Sequence, residues 1–167
     1  LPFTYTFTEL SVSLLARARR TTFAGTPNME FRKFDLEATP EPELHGRYHL
    51  VISSNCVHAT RDLRRSLQHI RQLLRPHDGC VALVELTQKL AWYDLVWGLL
   101  DGWWLFDDGR DYALQSPWAW ERAMRDSGFA HVDWSECASR ESRSVRVVCG
   151  FTNSSPEKHQ QLKAPST

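Results

Sequence analysis

Apolar and polar positions along this chain switch repeatedly between an alternating period and a helical one, and the switches mark its elements. Tyr5-Thr6-Phe7-Thr8 alternates in β-prone residues and predicts a strand. Ser11 suits an N-cap, and Val12, Leu14, Leu15, Ala16 and Ala18 continue as a helix ending in the basic cluster Arg17, Arg19 and Arg20. Ala24-Gly25-Thr26-Pro27-Asn28 reads as a turn, and Met29 to Phe34 as a second strand that meets Asp35-Leu36-Glu37. After a loop through Pro40 and Pro42, the run Tyr48-His49-Leu50-Val51-Ile52 stops in Ser53-Ser54-Asn55, as a buried strand does at its carboxyl end. Leu63, Leu67, Ile70 and Leu74 then recur at helical spacing, with Arg61, Arg64, Arg65 and Arg71 mostly on the opposite side. Pro76 and Gly79 close that helix.

Cys80-Val81-Ala82-Leu83-Val84 is a further strand of the buried kind and ends in Glu85. Leu90 to Leu100 predicts a very apolar helix, and Gly102 to Gly109, with Trp103, Trp104 and Phe106, a loop too apolar for a mere connector. Ser116-Pro117 fits an N-cap with proline at the first helical position, opening a helix through Trp118, Trp120, Ala123 and Met124 that Gly128 stops. Closing strands fall around Val132–Trp134 and Val145–Cys149. The order is strand, helix, strand, strand, helix, strand, helix, helix, strand, strand. This alternation predicts an α/β sheet with helices on both faces over residues 1–151. Residues 152–167 turn to Ser, Pro, Gln, Lys and Thr and predict a disordered linker or tail.

Composition narrows the function classes. Lys+Arg and Asp+Glu balance at 20 each, which argues against binding nucleic acid by neutralising phosphates. The chain has no polybasic membrane segment and no apolar run of the roughly 18 residues that a membrane span requires. Cys56, Cys80, Cys137 and Cys149 are far apart and contain no CxxC pair, which suits a reducing, cytoplasmic setting and predicts no metal site. No signal peptide is recognisable, and the abrupt start in strand-like sequence without Met predicts a piece of something longer.

The candidate chemistry sits at two strand ends. Ligands gather at the carboxyl edge of open parallel α/β sheets. His58, in Asn55-Cys56-Val57-His58-Ala59-Thr60, is placed there and can take a proton near neutral pH. Glu85 ends the other strand of the same kind and would orient the imidazole. The plainer reading is a capping histidine and a surface glutamate. Thiol chemistry by Cys56 is a weaker alternative, since neighbours on an extended chain point opposite ways. The Arg row of the middle helix is most simply a solvated face, with docking of an acidic partner as the other reading.

These residues also carry a resemblance. Tyr5-Thr6-Phe7-Thr8-Glu9-Leu10-Ser11, Asn55-Cys56-Val57-His58-Ala59-Thr60, Leu73-Leu74-Arg75-Pro76, Val84-Glu85-Leu86-Thr87 and Gly102-Trp103-Trp104-Leu105-Phe106 follow in order. Together they resemble the carbon-methyltransferase domain of fungal non-reducing polyketide synthases. The resemblance implies a class I, Rossmann-like methyltransferase sheet with an antiparallel last strand, and S-adenosylmethionine as cofactor. It implies methylation of the α-carbon of a β-ketoacyl thioester held on a phosphopantetheine-bearing acyl carrier domain, beside other synthase domains. By the same resemblance His58 is the base and Glu85 its partner. Glu9 is then the ribose ligand, Asp35 and Leu36 border the adenine, and Asn55 lies beside the methionine part. The chemistry also needs water kept from the enolate, which a loop bearing Trp103 and Trp104 suits, with simple packing as the other reading.

One departure stands out. The family's first strand and glycine-rich cofactor loop lie upstream of the Tyr-Thr-Phe-Thr block, and no GxGxxG-like run occurs in these 167 residues. The expectation is an N-terminally truncated domain with an exposed sheet edge and weak cofactor binding. Two further readings stay open: an O- or N-methyltransferase of the same fold, and a non-catalytic structural remnant of a synthase.

Overall fold

The computed structural model describes residues 3–136, 138–139 and 141–153. Its ten main elements follow the predicted order. Strands β1 (Tyr5–Glu9) and β2 (Met29–Lys33) form a parallel pair, with Tyr5 opposite Met29 and Glu9 opposite Lys33. Between them α1 (Val12–Arg17) starts at Ser11, whose hydroxyl accepts the Leu14 N–H, and widens into a π-turn over Ala18–Thr22. Phe7, Phe23 and Phe31 pack against one another with tilted rings, centroids 5.3–6.2 Å apart.

The second sheet has four strands in the order β3-β4-β6-β5: β3 (Leu50–Ser54), β4 (Cys80–Leu86), β5 (His131–Trp134) and β6 (Val145–Phe151). β3 and β4 run parallel, with Val51 opposite Val81 and Ser54 opposite Val84. β6 is antiparallel to both β4 and β5, so the last strand has the predicted sense. Among the described residues β3 pairs with β4 alone, and its other edge carries no strand.

Helix α2 (Leu63–Leu73) forms because its apolar residues share one side and Asp62 caps it, accepting the Arg65 N–H at 2.9 Å. Such a cap is worth about 0.5–2 kcal/mol. α3 (Ala91–Val96) is shorter than the predicted Leu90–Leu100 helix, and the chain re-forms a 3-10 turn at Asp101–Trp104, inside the expected loop. α4 (Pro117–Asp126) begins at Ser116 with Pro117 at its first position and is released by Gly128, whose φ of +91° suits glycine. The core is the layer where Leu63, Leu67 and Ile70 of α2 and Trp120, Ala123 and Met124 of α4 meet Val81, Leu83, Val132 and Val148. Leu50, Ile52, Val145 and Val147 lie on the opposite face of this sheet by register and are exposed.

The two sheets are tied through the turn after β2. The His69 Nδ1–H donates to the Leu36 carbonyl at 2.7 Å, and Glu37 accepts the Arg61 N–H at 2.5 Å. The fold also runs past the expected boundary at Phe151. Thr152 is buried and bonds Gly79 through its N–H and hydroxyl, while Asn153 reaches the His77 carbonyl, so these two are not tail. The remainder of the predicted tail lies outside the described residues. Among the described residues no helix is long and apolar enough to cross a membrane.

Candidate active site

Strand β3 ends at Ser54, and Asn55 extends the ladder by donating its N–H to the Val84 carbonyl at 2.8 Å. Asn55 adopts φ +47°, a left-handed conformation that asparagine tolerates better than most residues. The chain then makes one 3-10 turn, Val57–Ala59, which brings His58 inward. Glu85 is the sixth residue of β4, one position deeper than a strand-end residue, and its side chain is fully buried. From there its carboxylate reaches across to the turn. Oε2 lies 2.6 Å from His58 Nδ1, and Oε1 accepts the Val57 N–H at 3.1 Å.

A carboxylate only accepts, so the proton on this imidazole sits at Nδ1 and the Nε2 lone pair is the one that can take another. The pair is secluded, with 7% of the His58 side chain exposed. Trp103 borders the imidazole edge-on, ring centres 6.0 Å apart. Its indole N–H donates to Asp94 Oδ1 at 3.2 Å, and the same oxygen accepts the Tyr112 hydroxyl at 2.5 Å. Burial first, and then that hydrogen bond, push the Tyr112 phenol up to about 12. Trp104 is turned elsewhere: half exposed, it donates to the Gly98 carbonyl at 2.9 Å. Of the two predicted lid tryptophans, Trp103 alone is in ring contact with the histidine among the described residues.

Three groups beside the site were not apparent from the sequence. Arg110 donates to Asp108 Oδ1 at 2.9 Å and to the His58 carbonyl at 3.2 Å. It also reaches the carbonyls of Thr60 and Arg61. Asp108 Oδ2 accepts the Leu63 N–H at 2.8 Å, at the first residue of α2. Asp94 is the third, as the shared acceptor of Trp103 and Tyr112. Cys56, an exposed residue two from the base, has its thiol pushed up by partial desolvation and by the Glu85 carboxylate, which disfavours the thiolate that nucleophilic chemistry needs.

The remaining candidates lie at strand ends as well. Glu9 closes β1, where Oε1 accepts the Ser11 N–H at 3.0 Å. Asp35 follows β2, where Oδ1 accepts the Glu37 N–H at 2.9 Å. Each keeps its second carboxylate oxygen without a hydrogen bond among the described residues, so each still has an acceptor to offer. Leu36 is half-buried against the core and offers an apolar wall. Among the described residues no cluster of three or more His, Cys, Asp or Glu side chains is placed to hold a metal ion.

Parallel strands with an antiparallel last strand, helices and a site at the carboxyl edge define a class I methyltransferase fold. Residues 2–81 match the family described as a methyltransferase domain. The chain is 50% identical over 151 residues to the non-reducing polyketide synthase pkbA of Emericella nidulans, covering 90% of this chain and 6% of that synthase. It is similar in structure to the CMeT domain of the citrinin polyketide synthase, with 41% identity and a TM-score of 0.87, covering 91% of this chain and 40% of that one. It is also similar to the trans-methyltransferase CalH in complex with SAH, with 30% identity, a TM-score of 0.75, and coverage of 89% and 42%. These likenesses give the chain a methyltransferase domain and relate it to fungal non-reducing polyketide synthases. It spans a small part of the length of the synthase relative it matches.

Proposed function

We propose that this chain takes part in S-adenosylmethionine-dependent methylation of the α-carbon of a β-ketoacyl thioester carried on the phosphopantetheine arm of an acyl carrier domain. The reading rests most on one observation, the 2.6 Å contact that fixes the His58 proton at Nδ1 beside a fully buried Glu85. When bound, the cofactor supplies an electrophilic methyl sulfonium. The task left to the protein is to produce a carbon nucleophile and hold it in line.

His58 Nε2 takes the α-proton, which is acidic because a ketone and a thioester flank it. The electron pair passes to the enolate, and the imidazolium that forms is stabilised by Glu85 across Nδ1. General-base assistance of this kind contributes about 10²–10⁴-fold. Trp103, whose ring borders the imidazole, helps keep water from it. Glu9 is suited to ribose hydroxyls, Asp35 and Leu36 to the adenine, and Asn55 to the amino-acid end. The likeness to a CMeT domain and to a methyltransferase solved with SAH supports both the reaction and the cofactor. The preference for carbon over oxygen or nitrogen rests on the likeness to carbon-methyltransferase domains, since the same imidazole–carboxylate pair could also deprotonate a hydroxyl.

The test is turnover by a full-length synthase carrying this segment, given S-adenosylmethionine and a β-keto thioester. Methyl should appear on the α-carbon. His58→Ala should lower the rate by about 10²–10⁴-fold while cofactor affinity stays near that of the parent. Retained turnover in that variant, or methyl on oxygen, would overturn the proposal.

A further inference from the structure

We propose that the Asp108–Arg110 pair is a positioning device for His58, strapping the turn that carries the imidazole to the start of α2. The inference rests on the reading of His58 as the base and names residues that act on it indirectly. Glu85 holds the ring and the N–H of the residue before it. That leaves the carbonyl side of the turn to be held by something else.

Val57–Ala59 is a single 3-10 turn, too short to satisfy the carbonyls that follow it. The carbonyls of His58, Thr60 and Arg61 all accept from the one Arg110 guanidinium. Its fourth contact, Nε to Asp108 Oδ1 at 2.9 Å, sets the plane of the fork. Asp108 in turn accepts the Leu63 N–H, and the Asp107 N–H donates to the Arg61 carbonyl at 3.0 Å. Both side chains of the pair are under 10% exposed, and the ring of Phe106 lies 5.2 Å from the guanidinium carbon. Five donors in a rigid plane make this possible for arginine, and a lysine ammonium cannot reproduce it.

The segment that supplies the strap also supplies Trp103, which borders His58. Residues 103–110 therefore define where the base sits from two sides. A buried ion pair that only stabilised the fold would leave the His58–Glu85 contact unchanged wherever the protein remains folded.

That difference is measurable on the whole chain by proton NMR. A short hydrogen bond from imidazole to a buried carboxylate gives a low-field Nδ1–H resonance, assigned by its absence in His58→Gln. Arg110→Gln should broaden or remove this resonance, and Arg110→Lys should keep the fold without restoring it. Arg125→Gln, which removes a surface cation paired with Glu121, should leave it unmoved. In the full-length synthase, Arg110→Lys should lower kcat by about 10²-fold with the KM for cofactor unchanged. An unshifted resonance in folded Arg110→Gln or Arg110→Lys would overturn the proposal. So would a kcat loss no larger than the loss of folded protein. Turnover surviving in His58→Gln would sink the base reading by itself, while the resonance would still report on the strap.

Discussion

Glu85 Oε2 and His58 Nδ1 lie 2.6 Å apart across two neighbouring strands, and the other oxygen of the same carboxylate holds the Val57 N–H. One buried acceptor therefore sets both the tautomer of the ring and the path of the backbone that carries it. The arrangement depends on parallel register: Ser54 opposite Val84 brings the turn after β3 level with Glu85.

Glu85→Gln tests the tautomer directly. The amide has one acceptor oxygen for two N–H groups. If that oxygen keeps Val57, its NH2 faces Nδ1 and drives the imidazole proton to Nε2. The base then loses its lone pair on the working side. Turnover should fall by about 10²–10⁴-fold, with cofactor affinity held. Glu85→Ala should in addition destabilise the protein by about 1–3 kcal/mol, because the buried Val57 N–H loses its acceptor. Denaturant titration and turnover assays separate the two effects.

The Tyr112 phenol should leave a signature at high pH. Its ordinary value of 10 is pushed up to about 12, first by burial and then by the Asp94 hydrogen bond. The folded value lies above the unfolded one, so the associated stability is complete below about pH 10. It is lost as pH rises toward 12. Tyr112→Phe should be less stable near neutral pH and show a smaller decline over that window. Tyrosinate absorbance should contain a late-titrating phenol that is absent in the variant.

Cys56 offers a test that the chemistry belongs to the imidazole. Its thiol is held up by partial desolvation and by the neighbouring Glu85 carboxylate, so little thiolate exists at neutral pH. Cys56→Ala should retain turnover within about twofold, within the small effects usual away from a critical group. Alkylation of Cys56 in the folded chain should be slower than in a denatured control.

What was legible in the sequence follows from how far apart the partners are. α2 follows from the spacing of Leu63, Leu67 and Ile70, and α4 from Ser116-Pro117 with Gly128 beyond it, because those cues act within a few residues. α3 is the exception. Gly98, just past the C-cap Trp97, is a local stop cue, but Leu95, Val96, Leu99 and Leu100 carry the apolar run across it and mask it, and these residues remain exposed. His58 and Glu85 stand out because each follows a β-branched run. The strap does not, since Asp108 and Arg110 find their partners 45 to 52 residues away. An acidic and a basic residue two apart in an apolar loop look like any solvated turn.

Gly150 separates stability from chemistry. It lies in β6 between Val81 of β4 and Val132 of β5, at the end of the sheet away from the site. A Cβ there would stand 2.8 Å from Phe129 Cδ1 and 3.2 Å from Met124 Sδ, both within the core. Met124 can rotate away, but Phe129 is enclosed and the strand is paired on both edges, so the backbone must shift. Overpacking of this kind costs about 1–3 kcal/mol, and Gly150→Val should cost more than Gly150→Ala. Val81 and Glu85 are four residues apart along β4, about 13 Å at strand rise, so the strain should dissipate before reaching the base. Denaturant midpoints should therefore fall in the order parent, Gly150→Ala, Gly150→Val. Turnover per folded molecule, measured well below the melting range, should remain near the parent value. A loss of turnover at full folding would mean that β6 transmits strain to Glu85.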